Sequence, residues 1–384
     1  MAEQLLYEGS YGLERETLRV DSEGRLAQTP HPFGSDENMT RDFCENQIEL
    51  ITPVCKSISE VLESLGELDR RTREKLRENG ESIWLYSNPP HFEDEGDIPV
   101  ANFTGEFSGK RLYREQLERR YGKRLMLFSG IHFNFSFSDR YLRKVCPGDN
   151  FGQERDMFYL RLYKQLTVHS FLPLALSAAS PVYDRSLDKD HESGRVLSKY
   201  GSIRSGERGY WNEFIPELRH DDLSSFVDSI QYYVDKGVLF SASELYLPVR
   251  LKPRGVNTLD NLRNGVSHVE LRMFDLDPLQ PLGIDPEVLE FTHLMIMYLS
   301  TKPDFDLTPE LQKQAVLAHR SAALYDLTEA EVYGEPLLRR AEAVMDEMAE
   351  FFREDEKALG IIEDERKKLY DRPCFKAAET DIYR

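Results

Sequence analysis

The stretch Ile131-His132-Phe133-Asn134-Phe135-Ser136-Phe137-Ser138 decides how the chain reads. Its apolar side chains occupy alternate positions, Ile131, Phe133, Phe135 and Phe137, and polar ones fill the places between. Successive side chains of a strand point to opposite faces, so this octapeptide predicts a strand with one greasy face and one face bearing His132, Asn134, Ser136 and Ser138. Three further stretches share the period. Gly12 to Val20 puts Glu14 and Glu16 on one face. Glu244 to Lys252 sets Leu245, Leu247, Val249 and Leu251 against Glu244, Tyr246, Arg250 and Lys252. Ser267 to Asp275 sets Val269, Leu271 and Met273 against His268, Glu270 and Arg272. Clean alternation of this kind belongs to antiparallel sheets with one face packed and one face open.

Helical spacing fills much of the remainder. Ser57 to Asn79 repeats apolar residues at Ile58, Val61, Leu62, Leu65 and Leu68, with Ser57 and Glu60 as a capping box and Gly80 as a stop. A second helical region spans Glu154 to Ala179, ahead of Pro181. Beyond Pro286 the pattern is helical nearly to the end: Thr308 and Pro309 open one helix, and Thr328 with Glu331 would box another. The combination predicts an α+β fold, an antiparallel sheet with helices packed on one side.

Composition excludes several classes of function. The 384 residues carry 49 Lys and Arg against 68 Asp and Glu, a formal charge of −19. Such a surface repels phosphate backbones, so nucleic-acid and anionic-membrane binding are not expected. The longest greasy stretch, Phe171 to Val182, is short and broken by Pro173, which argues against a membrane span. Cys44, Cys55, Cys146 and Cys374 lie far apart without a CxxC pair, so neither a zinc knuckle nor a disulfide framework is expected. These features describe a soluble cytoplasmic protein with reduced thiols.

The chemistry-bearing residues are mainly acids and arginines. Glu14 and Glu16, two apart on a strand, start about 6 to 7 Å from each other and can share a divalent ion. The plainer reading is a solvated edge balanced by Arg15 and Arg19. The run Arg41 to Glu49 adds Asp42, Glu45 and Glu49; as a strand Glu45, Gln47 and Glu49 share a face, and as a helix Asp42, Glu45 and Glu49 do. His132 and Glu270 occupy the polar faces of otherwise apolar strands. Carboxylates in this number with one histidine are ligands for a hard cation, and an oxygen-rich site near phosphate favours Mg²⁺ over zinc. Arg204, Arg250 and Arg272 add bidentate partners for carboxylate or phosphate. Familiar nucleotide motifs are missing: Gly105-Glu106-Phe107-Ser108-Gly109-Lys110-Arg111 imitates a P-loop with one residue too few and Arg after the lysine, and it reads as a loop.

In the aggregate the chain resembles the bacterial-type glutamate-cysteine ligases, or γ-glutamylcysteine synthetases. The resemblance rests on Gly12-Leu-Glu-Arg-Glu-Thr-Leu-Arg-Val20, Asp42-Phe43 through Glu49-Leu-Ile-Thr-Pro-Val54, Tyr113-Arg-Glu-Gln-Leu117, Arg119-Arg-Tyr-Gly122 and Ser129 to Ser136. It continues through Ser180-Pro181, Glu244-Leu-Tyr-Leu-Pro-Val-Arg250, Val269-Glu-Leu-Arg272, Asp275-Leu-Asp-Pro278 and Pro281-Leu-Gly-Ile-Asp285. It implies a glutamine-synthetase-like fold, whose curved antiparallel sheet forms a funnel for ATP, Mg²⁺ and substrates, with helices on the outer side. Residues 1–290 would form the catalytic domain and 291–384 a helical extension packed on it. No second ATP-grasp domain is read in the sequence, so the single-step ligase is expected and not the fused two-step enzyme.

Carried onto matching positions, Glu14, Glu16, Asp42, Glu49, His132 and Glu270 resemble the metal-binding set, for Mg²⁺ or Mn²⁺. Arg204 is similar to the arginine that grips glutamate, and Arg272 to one facing the transferred phosphoryl group; with Glu270 they form the implied catalytic set. Asn134, Arg250 and Arg272 fall on the ATP side, and Phe43, Tyr113, His132, Tyr210 and Tyr246 around cysteine. The implied reaction joins L-glutamate to L-cysteine through γ-glutamyl phosphate, releasing ADP and phosphate as the first step of glutathione biosynthesis. The expected partners are these small molecules, and the expected assembly is a monomer or small homo-oligomer. A ligase for a different amine, or a non-catalytic relative that binds an amino acid or metal, are the alternatives.

Overall fold

In the computed structural model, residues 5–105, 108–188, 194–209 and 211–376 are described. The strands are β1 (Gly9–Val20), β2 (Met39–Arg41), β3 (Gln47–Ile51), β4 (Ser82–Trp84), β5 (Ile131–Phe137), β6 (Val182–Asp184), β7 (Arg195–Leu197), β8 (Val249–Pro253) and β9 (Val266–Phe274). Seven of them form one sheet in the order β2-β3-β1-β5-β9-β8, with β4 also on β1. Every pairing in it is antiparallel. β6 and β7 form a separate hairpin.

The alternation decides which face is covered. Leu13, Ile48, Leu50, Phe133, Phe135, Val269 and Leu271 are each at most 1% exposed and belong to one large apolar cluster. The helices Ile58–Arg77, Phe151–His169, Phe171–Ser177 and Pro286–Ser300 contact the strands or one another beneath it. The same cluster takes in Leu337, Val344, Ile362 and Leu369 from the C-terminal helices, so those helices share the core of the sheet. The expected antiparallel α+β architecture is the one observed.

Several boundaries differ from the expectation. The helix read over Glu154 to Ala179 is two helices, Phe151–His169 and Phe171–Ser177, with the break at Ser170. Thr328 and Glu331 make no capping box: Asp326 caps the short turn Leu327–Glu329, and Glu331 pairs with Pro336 in a two-stranded ribbon. The strand expected over Glu244 to Lys252 begins only at Val249. Its first half is held irregular by side chains, since Glu244 is buried against Arg120 and Tyr121, and Asn212 bonds both Glu244 O (2.7 Å) and Tyr246 N (2.9 Å). Tyr246 therefore precedes the strand. The P-loop imitation is not wholly a loop, because the helix Ser108–Tyr121 begins within it and Arg111 pairs with Glu115 one turn on. Residues 106 and 107 lie outside the described residues.

A register shift separates β5 from β9. Ile131 faces Phe274 while Phe133 faces Leu271, so β9 carries one extra residue opposite His132. Phe274 joins Met273 in the core, where the alternation expects Met273, and the bulge brings Arg272 and Met273 to the wall of a cleft on the polar side.

Candidate active site

Strand register assembles the acids. Glu14 on β1 lies directly across from His132 on β5, and Asn134 two residues on lies across from Glu270 on β9. Glu14, His132 and Glu270 thus offer ligand atoms within 4.8 Å of one another. His132 Nδ1 stands 3.1 Å from Glu14 Oε2, 3.9 Å from Glu270 Oε1 and 3.2 Å from Arg272 Nη1. One ring nitrogen cannot satisfy these groups at once. Glu16 Oε1 is 3.5 Å from His132 Nε2, and Glu16 pairs across the strand with Glu49 on β3. Asp42 sits in the turn between β2 and β3, with Arg114 3.8 Å away. Glu45 is turned to the rim, held by Arg41 at 2.7 Å and by the His31 backbone, so neither alignment read for the acidic run places it with the others.

The plainer reading of Glu14 and Glu16 as an edge balanced by Arg15 and Arg19 does not hold. Both arginines are fully buried elsewhere, Arg15 on Asp69 at 2.5 Å and Arg19 on Glu81 at 2.6 Å. Positive charge reaches the cluster from other strands instead. Lys252 Nζ is 3.1 Å and Arg272 Nη1 3.3 Å from Glu270 Oε1. Burial raises the Glu270 carboxyl, yet Lys252, Arg272 and Arg250 outweigh it and hold it well below the usual range. Glu14 is also lowered, its burial outweighed chiefly by the His132 hydrogen bond. On the other side of the cluster the balance reverses. Burial, and then the charge of Asp42, push Glu16 up to about 8 and Glu49 well above the ordinary value. Burial and the neighbouring Arg272 hold His132 down at about 4, leaving its imidazole neutral and able to ligate.

This donor set fits a hard divalent ion. It is carboxylate oxygen with one neutral imidazole, and His132 Nε2, Glu270 Oε2 and Asn134 Oδ1 are buried without a hydrogen-bond partner. Buried polar atoms are rarely left so unless something binds them.

Arg204 lies beside the acids, in a polar turn anchored to the end of β9. Its guanidinium donates to Arg272 O and Phe274 O, each at 3.2 Å. Asp275 organises the turn, accepting from Ser180 Oγ (2.5 Å), Ala179 N (3.1 Å) and Ser202 Oγ (2.9 Å). This accounts physically for two motifs, Ser180-Pro181 and Asp275-Leu-Asp-Pro278, as supports for Arg204. Gly130 makes room: a Cβ there would stand 2.4 Å from the guanidinium carbon. Gly130→Ala is expected to displace the Arg204 guanidinium and weaken binding in this cleft by about tenfold or more, with the melting temperature changed by only a few degrees. Steady-state kinetics and thermal melting check this.

The aromatic residues gather at the other side of the polar face. Phe43 and Tyr246 are buried in a smaller apolar cluster with Leu18, Cys44 and Leu117, against which Tyr113 packs. Tyr113 stacks on Phe240 at 5.9 Å, and Tyr246 meets Tyr121 edge-on at 5.7 Å. Tyr210 lies outside the described residues. Arg250 donates its guanidinium to Ser243 O and Leu245 O, at 2.8 and 2.7 Å, and so also holds the turn before Tyr246. The cleft lined by Arg204, Tyr246 and Arg272 also contains Trp211 and His319, which the sequence reading did not single out. Burial pushes the Cys44 thiol up, which makes it a poor nucleophile.

Among the described residues no helix is long and apolar enough to cross a membrane. A second acidic group, Asp285, Glu287 and Glu365, lies on the helical side, where Lys368 bridges Asp285 and Glu365 at 2.5 Å each and ties the C-terminal helix to Pro286–Ser300.

Comparison with known proteins gives the family. The glutathione biosynthesis bifunctional protein of Listeria monocytogenes is 35% identical over 95% of this chain and 51% of its own length. The chain thus spans about half the length of the bifunctional relatives it matches. The glutamate-cysteine ligase of Clostridium acetobutylicum is 31% identical over 83% of this chain and 77% of its own. Among solved structures, a glutamate-cysteine ligase from Francisella tularensis in complex with AMP superimposes with a TM-score of 0.86 at 25% identity, covering 97% of this chain and 84% of that one. A bifunctional glutathione synthetase from Pasteurella multocida superimposes with a TM-score of 0.83 at 26% identity, over 96% of this chain and 49% of that one. The sequence profile of glutamate-cysteine ligase matches residues 1–240 and 232–320, and with these relatives it makes the chain a member of the glutamate-cysteine ligase family.

Proposed function

We propose that this chain ligates the γ-carboxylate of L-glutamate to the amine of L-cysteine at the expense of ATP, the step that opens glutathione synthesis. The observation that carries the reading is the convergence of Glu14, His132 and Glu270 on one sheet face beside Arg204 and Arg272, in a member of this family. Glu14, His132 and Glu270, with Glu16, Glu49 and Asp42 next to them, would hold divalent ions, Mg²⁺ or Mn²⁺. Bound there, such an ion would neutralise and align the phosphate oxygens of ATP.

The chain's own residues divide the remaining work. Arg204 binds a carboxylate of glutamate and orients its γ-carboxylate. Arg272, fixed by the β9 bulge next to His132 and Glu270, stabilises the charge that spreads over the transferred phosphoryl group. Asn134 and Arg250 lie on the nucleotide side. Phe43, Tyr113 and Tyr246 exclude water around the incoming cysteine. A γ-carboxylate oxygen attacks the terminal phosphorus of ATP and ADP leaves. The cysteine nitrogen then attacks the acyl carbon, and phosphate departs with that carboxylate oxygen. Glutamate labelled with ¹⁸O in its γ-carboxylate should therefore deliver one label to inorganic phosphate. Unlabelled phosphate in a turning-over reaction would remove the acyl-phosphate route.

The perturbed acids predict how metal and protons compete. Glu16, at about 8, carries its proton in the metal-free protein near neutrality, and Glu49 is pushed in the same direction, so both acids hold protons more tightly than an ordinary carboxyl does. A cation must expel them, so its apparent affinity should rise between about pH 6 and pH 8.5, with protons released on binding. Calorimetry in buffers of different ionisation enthalpy reads the release. Affinity independent of pH, with no proton release, would contradict the assignment of Glu16 and Glu49.

A further inference from the structure

The Arg204 cleft holds one polar ring that the chemistry above leaves unused. His319 comes from the helix Pro309–Ala322 in the C-terminal part of the chain. It is 2% exposed and meets Trp211 edge-on, with ring centroids 5.6 Å apart. Its Nδ1 lies 3.0 Å from Ser170 Oγ. The Ser170 hydroxyl donates its only proton to Thr167 O, also at 3.0 Å, so its oxygen accepts from the ring.

Nδ1 therefore carries the hydrogen, and Nε2 is a bare lone pair that the hydrogen bonds among the described residues leave open. Burial, helped by Arg204 and Arg320, holds the imidazole down at about 3, so this neutral tautomer persists at working pH. The charged side chains of the cleft, Arg204 and Arg272, are donors only. They suit a carboxylate but repel an ammonium group attached to the carbon beside it. A ligand carrying both needs an acceptor in the same cleft, and His319 supplies one from the buried face of its helix.

Resting on the ligase reading, we propose that His319 Nε2 accepts a hydrogen bond from the α-ammonium of the glutamate whose α-carboxylate lies on Arg204. His319 is then the residue that selects an α-amino acid over a plain dicarboxylate of equal length. The test compares the KM for L-glutamate with the inhibition constant of glutarate, which has both carboxylates and no amine. In His319→Ala the KM for glutamate should rise about tenfold or more, while glutarate inhibition and the KM for ATP stay put. His319→Gln, whose amide oxygen reaches near the Nε2 position, should recover most of the loss. His319→Phe keeps an aromatic ring without an acceptor and should repeat the alanine result, should the smaller residue fail to fold. An unchanged KM for glutamate, or glutamate and glutarate weakened in parallel, would overturn the proposal. A wild-type protein with no glutamate-dependent ADP release would remove the ligase reading and this inference with it.

Discussion

Glu270→Gln and Glu16→Gln should both lower turnover by about a thousandfold or more, yet move the stability of the metal-free protein in opposite directions. Glu270 is fully buried with Lys252 and Arg272 within 3.3 Å, and its charged form is the favoured one. Neutralising it strands two cations, a loss of about 3 to 5 kcal/mol for a buried pair broken on one side. Glu16 is the reverse case. Its folded-state value of about 8 exceeds the ordinary 4.5, so the native state binds the proton more tightly than the unfolded chain does. That contribution is complete below about pH 4.5 and is lost as pH rises through about 8. Glutamine mimics the protonated acid, so Glu16→Gln should melt at or above the wild-type temperature near pH 8.5. Added Mg²⁺ should stabilise the wild type and leave this variant unchanged. Thermal melts with and without Mg²⁺ separate the two; parallel shifts in both variants would contradict the electrostatic account.

Arg272→Ala is the second large effect. Its guanidinium touches His132 and Glu270 and lines the same cleft as Arg204, while its backbone carbonyl anchors Arg204 independently of its side chain. Truncation should thus reduce kcat by about 10² to 10³ and leave the KM for glutamate within a fewfold of wild type. Arg272→Lys keeps a charge but loses the planar fork, and should fall between them. A variant with normal kcat and a raised KM would move Arg272 from the transferred phosphoryl group to ground-state binding.

The periodic stretches made the strand faces legible, because a period of two is a local property. His132, Asn134, Glu14, Glu16 and Glu270 all lie on the polar face the alternation assigned to them. What the period cannot carry is register. That Glu14 faces His132, 118 residues away, follows from how β1 and β5 pair. The β9 bulge is likewise hidden, and it adds Phe274 to the core beside Met273. Tyr246 falls outside the strand that the alternation predicts, since Asn212 and Glu244 take up the backbone groups of that segment in an irregular turn. Trp211 and His319 carry no local signal: one follows a polar loop, and the other looks like any core residue of an amphipathic helix. Asp275 and Ser180 stood out only as matching motifs, and the structure gives their reason as the hydrogen bonds that hold the Arg204 turn.

The most direct measurement is ADP release from ATP, Mg²⁺ and L-glutamate, with and without L-cysteine, coupled to mass detection of the product. The account predicts ADP release that depends on cysteine, with a product of γ-glutamylcysteine mass in equal amount. Release that needs another amine would keep glutamate activation and reassign the acceptor pocket. Absence of ADP release with glutamate and any amine tested would contradict the central claim.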